Sequence, residues 1–227
     1  SSLIHSQGHL ENYPNIVVIV VDDLGFYDLS FTGSQLYNTP NVDRLASASV
    51  SFTNAYSNYP RCVPSRYALM TSRYPVNENK GSLHEIPSSQ NFIYQFNTLG
   101  YATSYVGKWH LGTDQNSPKG FGFKHSFAAG EAGGLASHFY PFNTKKNGKP
   151  APHSVEDFEG LSDKGNYSSD LLTDASIDFI QKNENRPFLA VLAYYAVHTP
   201  IEAKQEDIQR NKSQLDTIDF GETPNYI

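Results

Sequence analysis

Asn15-Ile16-Val17-Val18-Ile19-Val20-Val21-Asp22-Asp23-Leu24-Gly25 is the stretch from which the rest of the chain is read. Its first seven residues form a nearly continuous β-branched run, the pattern of a strand covered on both faces in a parallel or mixed sheet. The run stops at two adjacent carboxylates, Asp22 and Asp23, followed by a glycine. The carboxyl ends of strands are where open α/β sheets place their ligands. A sheet that carries chemistry at one edge is therefore the first expectation.

The same grammar continues outward. Thr39-Pro40-Asn41-Val42-Asp43-Arg44-Leu45 reads as an N-cap, a proline at the first helical position and a short helix. A strand is expected near 50–55. Phe92, Ile93, Phe96 and Leu99 follow helical spacing after cap candidates Ser88 and Ser89, with Gly100 placed to stop the helix. Thr103–Val106 is the next strand and delivers Gly107-Lys108-Trp109-His110-Leu111-Gly112 to the same edge. Leu171, Leu172, Ala175 and Phe179 mark another amphipathic helix, and Phe188–Tyr194 another apolar strand that runs into Ala196-Val197-His198-Thr199-Pro200. Strands alternating with helices predict an α/β fold, a mixed and largely parallel central sheet with helices on both faces. Residues 128–165, rich in Gly, Pro, Asn and charge, are read as long surface loops.

Bulk properties exclude several classes of function. The 227 residues carry a net charge of −6, and no basic run offsets it, so a nucleic-acid partner is not expected. A single cysteine rules out an internal disulfide framework. The apolar run at 16–21 is far too short to span a bilayer. Residues 1–13 lack the basic and apolar regions of a signal peptide and read as the terminus of a mature or expressed chain, with 14–227 as the folded part.

The lone cysteine sits in Cys62-Val63-Pro64-Ser65-Arg66. Proline suits the first position of a helix, so Cys62 is expected at or just before a helix N-terminus, where unpaired N–H groups and a partial positive charge favour an anion. Arg66, one turn on, adds a forked cation suited to sulfate, phosphate or carboxylate. Strand ends and the turns after them thus present Asp22/Asp23, Cys62/Arg66, Lys108/His110 and His198. The set reads as an anion site with a corner for a hard metal, because paired oxygens suit Ca²⁺ or Mg²⁺ and no Cys/His spacing typical of zinc is present. Each residue singly has a plainer role open to it: an Asx turn for the acidic pair, a solvated charge for Lys108, packing beside the core for the histidines. Jointly, their gathering at matching sheet ends favours the functional reading. His138, in Gly134-Leu135-Ala136-Ser137-His138-Phe139-Tyr140, is read as ordinary loop chemistry rather than a substrate subsite.

With these residues in view, the chain resembles the formylglycine-dependent (type I) sulfatases of the alkaline-phosphatase-like superfamily. Cys62-Val63-Pro64-Ser65-Arg66 is similar to that family's modification signature, and Gly107-Lys108-Trp109-His110-Leu111-Gly112 to its second signature. Asp22-Asp23, the segment from Thr39 to Leu45 and His198-Thr199-Pro200 fall in the family's order, so the similarity runs from about Pro14 to Pro200. The resemblance implies oxidation of Cys62 to formylglycine by a maturation enzyme, and hydrolysis of a sulfate ester, with a sulfated carbohydrate as substrate. It also implies Ca²⁺, in preference to Mg²⁺, on Asp22, Asp23 and residue 62. Arg66 would hold residue 62, Lys108 and His198 would contact sulfate oxygens, His198 would protonate the leaving group, and His110 would hydrogen-bond the diol. A periplasmic or extracellular location follows from the same analogy.

The family's distal half supplies further calcium ligands and another lysine, and nothing after Pro200 matches them. The expectation is an N-terminal portion of a sulfatase, binding metal weakly and turning over little by itself, because two aspartates and residue 62 leave a calcium shell short. Two other functions compete with this one. One is a phosphomonoesterase or phosphodiesterase of the same superfamily, and the other is a non-catalytic anion-binding protein.

Overall fold

The structure, a computed structural model, describes residues 13–75, 86, 90–144, 148, 154–158, 161 and 166–215. Residues 1–12, the cap candidates Ser88 and Ser89, and 216–227 lie outside the described residues. The chain divides into two units, one formed by Ser1–Asp22 with Ser57–Pro200 and the other by Asp23–Tyr56 with Ile201–Ile227.

The larger unit is built on four parallel strands, β1 (Ile16–Val21), β2 (Ala102–Gly107), β3 (His125–Phe127) and β4 (Phe188–Tyr194), in the order β1-β4-β2-β3. Register runs Ile16 beside Leu189, Ala102 beside Phe188 and Ser104 beside His125. Side chains of a strand alternate between faces, and β4 shows both in use. Leu189, Val191 and Ala193 join one core with Tyr67, Ile93, Tyr105 and Trp109, while Leu192 joins the opposite core with Val106, Leu172 and Tyr195. Helices α2 (Cys62–Thr71) and α3 (Phe92–Thr98) supply the first core, and α5 (Ser168–Lys182) packs on the other face against β4 and β2. This is the α/β architecture with helices on both faces that the sequence predicts.

Four local expectations are corrected. Burial on both faces holds for β4 and β2 but not for β1, which lies at the end of the strand order; Ile16, Val18 and Val20 pack on the core while Val17 and Ile19 remain 50% and 57% exposed. A β-branched run specifies a strand, but its cover depends on which elements pack there. No strand forms at 50–55, where Val50 and Phe52 are exposed in turns and coil; their unit contains no strand among the described residues to pair with. The cap of α3 is Asn91, whose side-chain oxygen accepts from Ile93 N at 2.9 Å. The segment 128–165 is not all surface: Ala128, Ala132, Leu135, Phe142, Val155 and Phe158 are buried in the second core.

In the smaller unit, α1 (Pro40–Ser47) begins with Pro40 at its first turn as read from the sequence. Thr39 makes no side-chain cap and instead donates to Asp43 Oδ1 at 3.0 Å, while Ser30 Oγ donates to Asp43 Oδ2 at 2.7 Å. A short helix α4 (Pro118–Phe121) belongs to the larger unit, and α6 (Gln205–Leu215) to the smaller. No helix among the described residues is long and apolar enough to cross a membrane.

Candidate active site

The site is assembled by the carboxyl end of β4. Pairing with β1 continues past the strands, because Asp22 N donates to Ala196 O at 3.0 Å and Val197 N donates back to Asp22 O at 2.7 Å. On the other side Lys108 N donates to Ala193 O at 2.8 Å. Gly107 makes that approach possible: it has φ 96°, and a Cβ there would lie 1.9 Å from Ala193 O, which only glycine avoids. Three strand ends thereby bring Asp22, Lys108 and the turn bearing His198 into one neighbourhood.

Asp22 is the hub. Its carboxylate is buried, takes Arg66 Nη2 on Oδ1 at 2.7 Å and forms an ion pair with the fully buried Lys108 ammonium through Oδ2. Burial alone pushes the Asp22 carboxyl up; the hydrogen bonds and charges of Lys108 and Arg66 outweigh it and hold the group below its ordinary range. Arg66 also donates through Nη1 to Lys108 O at 2.5 Å, and the Tyr105 hydroxyl donates to the same carbonyl at 2.7 Å. One carboxylate against two cations leaves a surplus positive charge in a buried cluster, the electrostatics of an anion site. Arg66 Nε is buried with no hydrogen-bond partner among the described residues, a further donor in the same cluster.

Cys62 is the first residue of α2 and is half-buried. The helix starts two residues earlier than the proline suggests, so Pro64 occupies its third position. There its missing N–H is still one the helix would not have used. Arg66 follows Cys62 by one turn.

His110 stands at φ 59° with its N–H on Gly130 O at 3.1 Å. A Cβ on Gly133 would lie 2.3 Å from His110 Cε1, and one on Gly134 would lie 3.1 Å from His198 Nδ1. Two consecutive glycines thus run against the two imidazoles, one against each. His198 Nδ1 lies 2.8 Å from Thr199 O; a carbonyl only accepts, so Nδ1 carries a proton and donates it there.

The Asp22 carboxylate and the His198 imidazole each offer a metal-ligand atom, and these lie within 4.8 Å of each other. Asp23 is the next residue, exposed, with φ 58°, and opens the second unit. The buried carboxylate and the imidazole are donors of the kind a divalent cation takes.

Of the residues singled out from the larger unit's sequence, Asp22, Arg66 and Lys108 are in direct contact, His198 lies beside Asp22, and Cys62 stands one helical turn before Arg66. Sequence reasoning missed Tyr105 and the Gly133-Gly134 pair. A strand tyrosine reads as core, and a glycine pair reads only as a turn. His138 is not on the loop surface at all, being 2% exposed.

Comparison with known proteins gives this site a family. The Sulfatase family model matches residues 14–220. N-acetylgalactosamine-6-sulfatase from Mus musculus is 31% identical over 223 residues, covering 85% of this chain and 41% of that protein. The crystal structure of Ps i-CgsB in complex with k-i-k-neocarrahexaose superposes with a TM-score of 0.67 at 33% identity, covering 88% of this chain and 49% of the other. A structure of BT4656 in complex with its substrate D-glucosamine-2-N,6-O-disulfate matches with a TM-score of 0.60 at 27% identity, covering 82% and 35%. The chain spans less than half the length of each of these relatives. The chain belongs to the sulfatase family.

Proposed function

We propose that the full-length protein hydrolyses a sulfate ester on a carbohydrate, with residue 62 matured to formylglycine as nucleophile. The observation that carries this is the convergence of Asp22, Arg66 and Lys108 in direct contact, with Cys62 one helical turn from Arg66 and His198 within ligand distance of Asp22. Support for a carbohydrate comes from the relatives, which include an N-acetylgalactosamine-6-sulfatase and structures holding a neocarrahexaose and a sulfated glucosamine.

In this reading a maturation enzyme oxidises Cys62 to the aldehyde, which hydrates to a geminal diol. One diol hydroxyl passes its proton to His110 as its oxygen attacks sulfur; the bond from sulfur to the sugar oxygen breaks, and that sugar oxygen takes a proton from Nε2 of the His198 imidazolium. The second diol hydroxyl then gives its proton to the now neutral His198, the bond from the residue-62 carbon to the sulfate oxygen breaks, sulfate leaves and the aldehyde re-forms; addition of water restores the diol, and His110 releases its proton to solvent. Lys108 and Arg66 stand where negative charge develops on the sulfate oxygens, in a site too buried for water to screen them. His110, held by Gly130 and Gly133, positions and exchanges a proton with the diol. Asp22, Asp23 and residue 62 would hold Ca²⁺, which supplies a Lewis acid for the diol and the sulfate. Export to the periplasm or cell exterior belongs to the same proposal.

The test is mass spectrometry of the residue-62 peptide from the native host, with turnover of aryl sulfate and aryl phosphate by the full-length protein. A formylglycine mass and sulfate preference are expected, and Cys62→Ser abolishes turnover while leaving the fold intact. An unaltered thiol from the native host, or a wide preference for phosphate, overturns the reading.

A further inference from the structure

We infer that His138 is a positioning residue for His198. The inference rests on the proposed role of His198 as proton donor to the leaving group. The His138 ring is buried, and both of its nitrogens are engaged. Nε2 lies 3.2 Å from His198 O, and Nδ1 lies 3.0 Å from the hydroxyl of Ser168, the first residue of α5. A carbonyl only accepts, so Nε2 carries the proton and donates; in the neutral ring Nδ1 then accepts from Ser168 Oγ–H.

The backbone reinforces the arrangement. Ser168 N donates to His138 O at 2.8 Å, and Tyr140 N donates to Asn166 O at 3.2 Å, fastening the segment around His138 to the start of α5. That helix packs along β4, the strand whose end turns into His198. The His198 peptide is therefore gripped from two sides: its N–H donates to Tyr195 O at 3.1 Å, and its carbonyl receives His138. Removing the His138 donor leaves Ala196 and Val197 paired with Asp22 and the His198 N–H on Tyr195 O, but takes away the bond to the His198 carbonyl, the end of the turn that carries the ring onward to Thr199.

Side-chain reach separates positioning from mere packing. Glutamine places its amide nitrogen where histidine places Nε2, whereas asparagine reaches only as far as Nδ1. In the matured full-length protein, with kcat normalised to folded, formylglycine-bearing molecules, His138→Gln keeps kcat within about threefold of wild type. His138→Asn and His138→Ala lower it on the order of 10- to 100-fold, with KM changed little, because the lost alignment matters in the transition state. Equal kcat for Gln and Asn, or losses in all variants that track thermal stability alone, overturns the inference. Should the alanine variant not fold, the Gln–Asn comparison decides. A matured wild type that hydrolyses no sulfate ester removes the sulfatase reading and this inference together; active wild type with variants of unchanged kcat removes this inference alone.

Discussion

Gly133→Ala is the sharpest test of how the site is built. Gly133 does not occupy the left-handed region, so alanine adopts its backbone without strain. The cost is confined to space: the new Cβ would sit 2.3 Å from His110 Cε1, against the 3.4 Å at which ordinary contact begins, so ring and methyl must separate by at least 1.1 Å. His110 is tied at its backbone to Gly130 O, and the ring is the part able to swing. A displacement of about 1 Å in a reacting group costs on the order of 100-fold. The expected result is kcat on the matured full-length protein lowered roughly 100-fold, with a stability change within about 1 kcal/mol, or about 2–4 °C in Tm for a chain of this size. Gly134→Ala is the built-in control. Its Cβ would meet His198 at 3.1 Å and needs a shift of only a few tenths of an ångström, so a loss of severalfold at most is expected. Wild-type kcat in Gly133→Ala would refute the argument that close packing aims His110. So would a loss that disappears when kcat is normalised to folded protein.

Further outcomes follow from the same contacts. Tyr105→Phe removes one of two donors to Lys108 O while Arg66 keeps the other, so a loss near the ordinary value for a hydrogen bond, about 1 kcal/mol, is expected in denaturant unfolding; a loss several times larger would show that Arg66 does not compensate. Burial pushes the Tyr105 phenol from 10.0 up to about 12. A folded-state value above the unfolded one means its contribution to stability is complete below pH 10 and is lost as pH rises through 12, and the wild-type minus Tyr105→Phe phenolate absorbance should show a late step there; a step near pH 10 contradicts it. Chelation of divalent cations from the matured full-length protein should abolish turnover, with Ca²⁺ restoring it better than Mg²⁺; turnover indifferent to chelation removes the metal from the proposal.

How much of this was legible in the chain depends on the range of the interaction that decides each feature. β4 was read to the residue and β2 to within one at each end, because apolar patterning is local. The helix start at Cys62 is legible from Pro64, since proline is tolerated within the first turn, where its missing N–H is not used. The chemistry-bearing side chains were legible because Asp22, Lys108 and His198 each stand just past a strand, and parallel strands deliver their carboxyl ends to one edge. What escaped was decided by partners distant in sequence. The exposed face of Val17 and Ile19 depends on what packs beside β1; the bond from His138 to His198 spans 60 residues; the close approach of Gly133 to His110 is a property of two loops. The coil at 50–55 has strand-like residues, but its unit contains no strand among the described residues with which to form a ladder.

The buried ion cluster also determines which substitutions carry information. Asp22 pairs with both Arg66 and Lys108 while its backbone joins β1 to the turn after β4, so one residue serves both the fold and the site. Asp22→Asn would leave two buried cations facing a neutral amide, and breaking a buried pair in this way costs about 3–5 kcal/mol. Against a total stability of about 5–15 kcal/mol, that loss is large enough to unfold the chain. Inactivity of such a variant would therefore say as much about folding as about metal or sulfate binding, and the same holds for Arg66 and Lys108. Gly133, His138 and Cys62 are better probes because none belongs to the ion cluster. Changes there alter ring placement or the nucleophile while the charge balance around Asp22 stays as it is, so a fall in kcat at constant stability can be assigned to chemistry.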